Sequence, residues 1–395
     1  MTVQLVVGAA LVGLGLVHLL YTYVGYPFII SLLPARPARP ARPSLPGALV
    51  SPRLVSVVIA ARSGEQGITS KVKNLLRTIR LPCEIVVVLD GPDADVTAEL
   101  RAVNDDRVKI AIVEGRLGKA ASLNRGVATS AGDTLVFTDV RQDVAAGAVE
   151  RLVEDLDSPD VGAVSGSLAI STASDSEGLY ERNWRFERWL RMREAAWDST
   201  VGVSGALYAL KRELWRPLPQ GLLLDDVWVP FQVVGAGKRV AFAPRAVVTD
   251  IRSRSDATEL ARKVRTLTGN YQLIAWMPSL LHPGKNRMWW QFISHKVLRL
   301  LTPFAVACCV AGGLLLLSGR WALIVGSLVG LGLALALVPN RGRAAGPPGT
   351  GVLGTARSAL ALFAALIVAA LNAARGRWDV WADPARPTFV DPRQS

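Results

Sequence analysis

The stretch TLVFTDVRQ, residues 134–142, runs from four strand-forming residues into Asp139, Val140 and Arg141. A short apolar run bounded by Gly132 and Asp133 reads as a buried strand, and this one brings a carboxylate, Asp139, to its end. Arg141 stands where a metal-binding Asp-x-Asp would place its second acid, and Asp143 follows two residues later as a second ligand or a helix cap. The same pattern recurs upstream in LVSVVIAA (54–61), EIVVVLD (84–90) and VKIAIVE (108–114). Helical stretches separate these strands: one up to about Arg80, one from about Val96, and KAASLNRGVATS (119–130). Near-continuous Val/Ile/Leu strands alternating with helices predict an α/β domain with a mostly parallel sheet covered on both faces. Ligands of such sheets sit beyond the carboxyl ends of the strands, and two of these strands end in aspartate, Asp90 and Asp139.

Outside that core the 395-residue chain is strongly apolar: 50% of residues are hydrophobic and mean hydropathy is +0.30. The excess lies in a run from Val3 to Leu33 and in three later ones near 297–317, 321–338 and 352–371. Each approaches the roughly 20 residues a spanning helix needs. The first has neither a basic n-region nor a small-residue cleavage site ahead of RPARPARP, so it reads as an anchor rather than a signal peptide. The net charge of +13 divides into +6 over residues 34–290 and +7 over the mostly apolar remainder. Basic flanks on membrane segments mark the cytoplasmic side; nucleic acid, which calls for a basic, aromatic face on the soluble domain, is not expected. Three cysteines make no disulfide framework, and three scattered histidines argue against a zinc site.

Several short motifs carry chemistry only in combination. Asp90 opens DGPDADVT, which is turn chemistry with Asp95 suited to a helix start, or a carboxylate placed to accept from a base or ribose. GRLGKAASLNRG (115–126) puts Lys119 at a helix start, where ammonium and helix N-terminus together favour a phosphate. The P-loop spacing is absent, which removes ATP binding of that kind. LLLDDVWVP (222–230) sets Asp225 and Asp226 after three leucines: a helix N-cap pair, or adjacent acids whose repulsion raises one pKa toward that of a general base. SDATELARKVRTLTGNYQLIAW (255–276) reads as a capped interfacial helix with an apolar stripe of Leu260, Val264, Leu267, Tyr271 and Ile274. Arg262, Lys263 and Arg265 lie off that stripe, as lipid contacts or as a diphosphate clamp. Arg182, Arg185, Arg188 and Arg191 recur every third residue, a spacing that fits solvation, lipid contact or acceptor binding equally.

The order of these pieces is the decisive feature. A strand-end Asp90, Gly-x-x-Gly-Lys with LNRG, FTD, GALYALKREL (205–214), Asp-Asp and an Arg-rich helix before apolar runs resemble the membrane-bound family 2 glycosyltransferases, the group of cellulose and hyaluronan synthases. The resemblance covers roughly 54–300. It implies a GT-A fold and an inverting transfer from a nucleotide sugar, a UDP-sugar favoured, with Mg2+ or Mn2+ as cofactor. It also implies Asp90 on the nucleobase side, Lys119 on the donor, Asp139 as metal ligand and Asp226 as base, with Asp225 its neighbour and Arg262 and Arg265 on the diphosphate. The chain departs from the pattern in SGE (63–65), where Asn is absent, in Asp-Val-Arg for Asp-x-Asp, and in Thr266 for the sugar-stacking Trp of processive synthases. One carboxylate suffices if the substrate's phosphates complete the metal's shell.

The sequence therefore predicts an anchor (1–33), a Pro/Arg linker (34–52), a GT-A catalytic domain (53–254), interfacial helices (255–291), about three transmembrane helices (292–374) and a tail (375–395). The expected protein is a multi-pass enzyme of the inner membrane with a cytoplasmic catalytic domain and a polysaccharide or lipid-linked acceptor. Its rivals are a transferase that puts one sugar on a polyprenyl phosphate, and a transporter or scaffold with a nucleotide-sensing domain. The last calls for charges inside the apolar runs, which past Lys296 and Arg299 are almost free of them.

Overall fold

The computed structural model describes residues 3–36, 54–171, 179–251, 256–317 and 352–378. In chain order, α1 (Val3–Leu20) passes through a π turn (Tyr21–Gly25) into α2 (Tyr26–Leu32). There follow β1 (Val55–Arg62), α3 (Ile68–Thr78), β2 (Cys83–Asp90), α4 (Ala94–Arg101), β3 (Val108–Val113), α5 (Lys119–Thr129), β4 (Thr134–Phe137) and β5 (Asp143–Val144). Next come α6 (Ala148–Leu156), β6 (Val161–Ser171), α7 (Leu179–Trp197), β7 (Tyr208–Lys211), α8 (Asp225–Gly235) and β8 (Arg239–Ile251). The chain closes with α9 (Asp256–Trp276), α10 (Trp289–Phe292), a second π turn (Ile293–Val297), α11 (Leu298–Leu300), α12 (Thr302–Leu316) and α13 (Val352–Ala374). Two compact units result: one of Met1–Leu33, Ser176–Asn183 and Ser253–Ala382, the other mainly of Pro34–Asp175 and Trp184–Arg252.

The second unit is built on one eight-stranded sheet in the order β3-β2-β1-β4-β7-β6-β8-β5. β3, β2, β1 and β4 are parallel; β7 enters antiparallel to β4 and to β6, β6 and β8 run parallel, and β5 closes the edge antiparallel to β8. Every residue of β2 and β4 is buried, as both-face coverage requires of strands without polar alternation. Fully burying each such Val, Ile or Leu contributes about 1.5–3 kcal/mol. Helix α5 lies unusually close to the sheet: a Cβ on Gly126 would stand 2.4 Å from Val58 Cγ1 and 3.0 Å from Val88 Cγ2. The glycine of LNRG thus sets how deeply α5, and the Lys119 at its start, can seat.

At the edge where the parallel strands begin, Glu84 is buried and fully engaged. Ser56 Oγ donates to it at 2.6 Å, the N–H groups of Ala131 and Gly132 at 2.5 and 3.2 Å, and Lys109 Nζ lies at 2.5 Å. Burial pushes its pKa up, but the hydrogen bonds from Lys109, Ser56 and Ala131 prevail and hold it at about 2.

In the first unit, small residues let α1 and α12 approach. A Cβ on Gly15 would collide with Cys309 Sγ and Ala305 O, and one on Gly8 would come within 2.9 Å of Gly312 O. The two π turns carry a polar seam: Tyr21 Oη and Ser294 Oγ are 2.9 Å apart, and Trp290 Nε1 donates to Tyr21 Oη at 3.0 Å. Val3–Leu32 is a 30-residue helix with a mean hydropathy of 2.2 over its most apolar window, of which 11% is buried. Among the described residues it is the one unbroken helix long and apolar enough to cross a membrane. The C-terminal spans expected over 292–374 take a different form. Trp289–Leu300 and Thr302–Leu316 meet at a 55° bend, a broken span or a re-entrant pair, with Pro303 at the start of α12. The run 321–338 lies outside the described residues, and the last run forms α13, the 23-residue helix Val352–Ala374.

The stripe predicted for α9 is also not its most buried face. Thr268, Gln272 and Leu273 are fully buried, whereas Leu260 is exposed. Asn372 of α13 donates to Thr268 Oγ1 at 3.4 Å, so polar packing between helices of this unit overrides the hydrophobic pattern. The side chains of Asp256 and Glu259, the expected capping box, lie outside what the structure describes.

Candidate active site

The carboxyl ends of the parallel strands gather the acidic residues. Asp90, the last residue of β2, is buried and accepts the Gly118 N–H on both carboxylate oxygens at 3.1 Å. Gly118 has φ +91° and ψ 174°, a region open in practice only to glycine. That conformation turns its N–H toward Asp90 and starts α5 at Lys119. The opposite side of the Asp90 turn is tied by Asp93, which caps α4 by accepting the Val96 N–H at 3.0 Å and also takes Gly64 N–H at 2.7 Å. The helix start expected at Asp95 is thus capped by Asp93, with Asp95 in the first turn.

Strand β4 ends at Phe137, so Asp139 sits two residues beyond it on a loop rather than at the strand end. Thr138 Oγ1 fixes that loop by donating to Ala206 O at 2.7 Å. From below it is held by Lys71 of α3, a buried lysine whose Nζ donates to Gln142 O at 2.5 Å. Burial lowers the Lys71 pKa to about 8 against the opposing pull of Asp139 and Asp143. Asp143 is exposed on β5, paired with Thr249, and caps no helix; Gly147 precedes α6. Arg141 is exposed.

Asp225 and Asp226 open α8, as first-turn acids rather than N-caps: Leu224 occupies the cap position without a side-chain hydrogen bond. Asp225 is 5% exposed and Asp226 half-buried. The mutual repulsion expected of the pair meets positive charge from two sources, the α8 N-terminus and Lys119. Lys119 Nζ lies 3.1 Å from Asp139 Oδ1 and 3.3 Å from Asp225 Oδ1. Asp226 O accepts the Val203 N–H at 2.8 Å, which draws the 202–206 turn over the acids. There Gly205 leaves room: a Cβ would be 3.6 Å from Lys119 Nζ and 3.9 Å from both Asp139 Oδ2 and Asp226 Cβ.

Asp90, Lys119, Asp139, Asp225 and Asp226 therefore converge, although the chain separates them widely. Arg262 and Arg265 belong to the other unit, on α9, where both are half-buried. On α7, Arg188 Nε donates to Ser167 Oγ at 2.7 Å and Arg191 lies 5.7 Å over the Trp184 ring, so those two arginines have packing partners. Sequence reasoning missed Lys71, Gly205 and Tyr208. Lys71 reads as the polar face of an amphipathic helix, Gly205 as a turn residue, and Tyr208 as an ordinary strand aromatic. Only the fold brings them to the acids.

Comparison with known proteins bears on the fold and on the segment that carries these acids. Residues 56–214 match the model of glycosyl transferase family 2. The chain is 32% identical over 246 residues to Glycosyltransferase AglD of Haloferax volcanii, an alignment covering 59% of this chain. It spans 38% of that relative's length. Among solved structures it resembles the mannosyltransferase PcManGT from Pyrobaculum calidifontis, determined with GDP-mannose and Mn2+. The TM-score is 0.67, with 21% identity over 95% of this chain and 100% of the other. The likeness is one of fold, the α/β GT-A type.

Proposed function

We propose that the chain is a membrane-anchored glycosyltransferase that moves a sugar from a nucleotide sugar, with inversion, to a lipid-linked or glycan acceptor. The observation that carries this reading is the Lys119 bridge between Asp139 and Asp225, beside Asp226. Three segments deliver opposite charges to one point at the carboxyl end of the sheet, where GT-A enzymes bind donors.

A divalent metal fits there in a particular way. Among the described residues no group of three or more His, Cys, Asp or Glu could hold one alone. Asp139 is a hard oxygen ligand with a third of its side chain exposed, and a cation, the Lys119 ammonium, already stands against it. Mn2+ or Mg2+ held by Asp139 and completed by the donor's phosphates suits this set and would supply charge neutralisation for the leaving diphosphate. The family likeness and the Mn2+ bound by the structural relative support the assignment.

The chain's own residues do the rest. Asp90 fixes the Gly118 turn next to the nucleotide. Lys119, at a helix N-terminus, offers its ammonium to the diphosphate. Asp226, the more accessible acid of the pair, takes the proton of the acceptor hydroxyl as that oxygen attacks the anomeric carbon. Arg262 and Arg265 are assigned to the diphosphate by the family resemblance alone. The apolar Val3–Leu32 helix and the basic linker after it support an anchor with the catalytic unit on the cytoplasmic side of the inner membrane.

Transfer of one sugar to a polyprenyl phosphate is favoured over polymer synthesis, because Thr266 replaces the stacking Trp of processive synthases. The experiment is a panel of UDP- and GDP-sugars, GDP-mannose included, incubated with Mn2+ and membranes carrying the full chain. Nucleotide release with a single-sugar lipid product supports the reading. Polymer would redirect it to the synthases, and release from none of the donors would reject it in favour of a nucleotide-sensing scaffold or transporter.

A further inference from the structure

Helix α3 buries Ile68, Lys71, Val72 and Leu75, the i, i+3, i+4 and i+7 positions of its core-facing stripe. Three of these are apolar; the fourth is a lysine only 2% exposed. An alkyl side chain of similar length would fill the same space without the desolvation penalty of a buried ammonium. Packing therefore does not account for the charge, and what the ammonium touches has to. Its Nζ donates to Gln142 O at 2.5 Å, three residues past Asp139 in the chain. Burial lowers the Lys71 pKa only to about 8 against the pull of Asp139 and Asp143, so the group is a cation at neutral pH.

The same end of the loop is gripped at two further points. Gln142 is buried, and its Nε2 donates to Asp250 Oδ2 of β8 at 3.2 Å. On the next turn of α3, Asn74 Nδ2 donates to Val144 O at 3.2 Å, and Asn74 Oδ1 accepts the Val144 N–H at 2.9 Å. At the other end Thr138 Oγ1 is tied to Ala206 O. Asp139 thus stands on a short span, 139–141, between fixed ends at Thr138 and Gln142. Among the described residues no group of three or more His, Cys, Asp or Glu could share a metal with it. The placement of this one carboxylate then depends on the loop that carries it.

We propose that Lys71 is a positioning residue for Asp139: through Gln142 O, and with Asn74 on the next turn, it fixes the loop on which Asp139 would hold a divalent metal. The inference rests on the reading of Asp139 as that ligand. Lys71 acts through the backbone of the loop and sets where the carboxylate stands before a donor arrives.

Lys71→Met removes the ammonium and keeps the length of the side chain. The full chain in detergent is titrated with Mn2+ in the presence of GDP or UDP, free Mn2+ being read by electron paramagnetic resonance. Binding about tenfold weaker than in the wild type is expected, within the range for a group that orients a metal ligand from outside. Excess Mn2+ should then restore kcat with the active nucleotide sugar, because only the half-saturation by metal has moved. Unaltered Mn2+ binding overturns the proposal. So does a kcat loss that excess Mn2+ leaves in place, which would make Lys71 a support of the fold. Asn74→Ala loosens the same loop at Val144 and should weaken Mn2+ binding in the same direction. If Lys71→Met does not fold, unchanged binding in Asn74→Ala overturns the proposal instead. Asp139→Ala, titrated in parallel, separates the two levels. Binding lost there with Lys71→Met unaltered rejects only the positioning role; binding kept in Asp139→Ala rejects the reading beneath it.

Discussion

The two ends of the central sheet each hold a buried acid against a lysine, and they have been built to opposite specifications. At the starting edge, Glu84 meets Lys109 and also takes Ser56 and the N–H groups of Ala131 and Gly132. At the carboxyl edge, Asp225 meets Lys119 but shares it with Asp139, and its second oxygen has no hydrogen-bond partner among the described residues. Saturation makes the first a structural tie between β1, β2 and the α5–β4 turn. The open oxygen of the second fits the donor site proposed there, because a buried polar group without a hydrogen-bond partner is unfavourable unless something arrives to satisfy it. The difference lies in the neighbours and not in the residue types.

Variants at the two ends should therefore fail in different currencies. The largest effect belongs to Asp226→Asn: kcat for sugar transfer falls about 10³-fold, within the range for loss of a general base, while donor binding by thermal shift survives. If Asp225→Asn does this instead, the base is the buried acid and the roles of the pair are exchanged. Asp139→Ala should lower Mn2+-dependent release of nucleotide about 100-fold; an unchanged Mn2+ titration would remove Asp139 from the site. Glu84→Gln reverses the pattern, with kcat kept and folding destabilised by about 3 kcal/mol, the worth of the displaced carboxyl ionisation.

The sign for Glu84 follows from its depressed pKa. Its contribution is complete above pH 4.5, the ordinary value, and disappears as pH falls toward about 2. Urea midpoints of the wild type should decline across that window, and those of Glu84→Gln should decline less. Equal slopes would mean that Glu84 is not the acid-sensitive tie. The smallest expected effect is Arg265→Ala, about tenfold weaker donor binding with little change in kcat. A loss confined to membrane association would instead make that arginine a lipid contact.

Most of the parallel half of the sheet was legible in the sequence, because apolar runs such as EIVVVLD bury both faces and say so in composition. The antiparallel half was harder. β7 is four residues of GALYALKREL, β5 is two, and their pairing with β4 and β8 depends on contacts distant in sequence. The acids at 90, 139, 225 and 226 announced themselves by following apolar runs. Lys71 and Gly205 did not, since nothing local distinguishes a helix lysine that faces solvent from one buried against the Gln142 carbonyl. The α9 stripe misled for a related reason: Thr268 and Gln272 are buried by neighbouring structure that the helical pattern cannot anticipate. The apolar runs after residue 292 gave length but not shape, and the bend between α11 and α12 is a tertiary feature.

The most direct test of the central claim, that Lys119, Asp139 and the Asp225–Asp226 pair form one donor site, is Mn2+-dependent nucleotide release. It would be measured on wild type, Asp139→Ala and Asp226→Asn side by side with the active nucleotide sugar. Release by the wild type that requires Mn2+ and is lost in both variants is the predicted result. Release that persists undiminished in either variant would show that these acids do not share a site, and would contradict it.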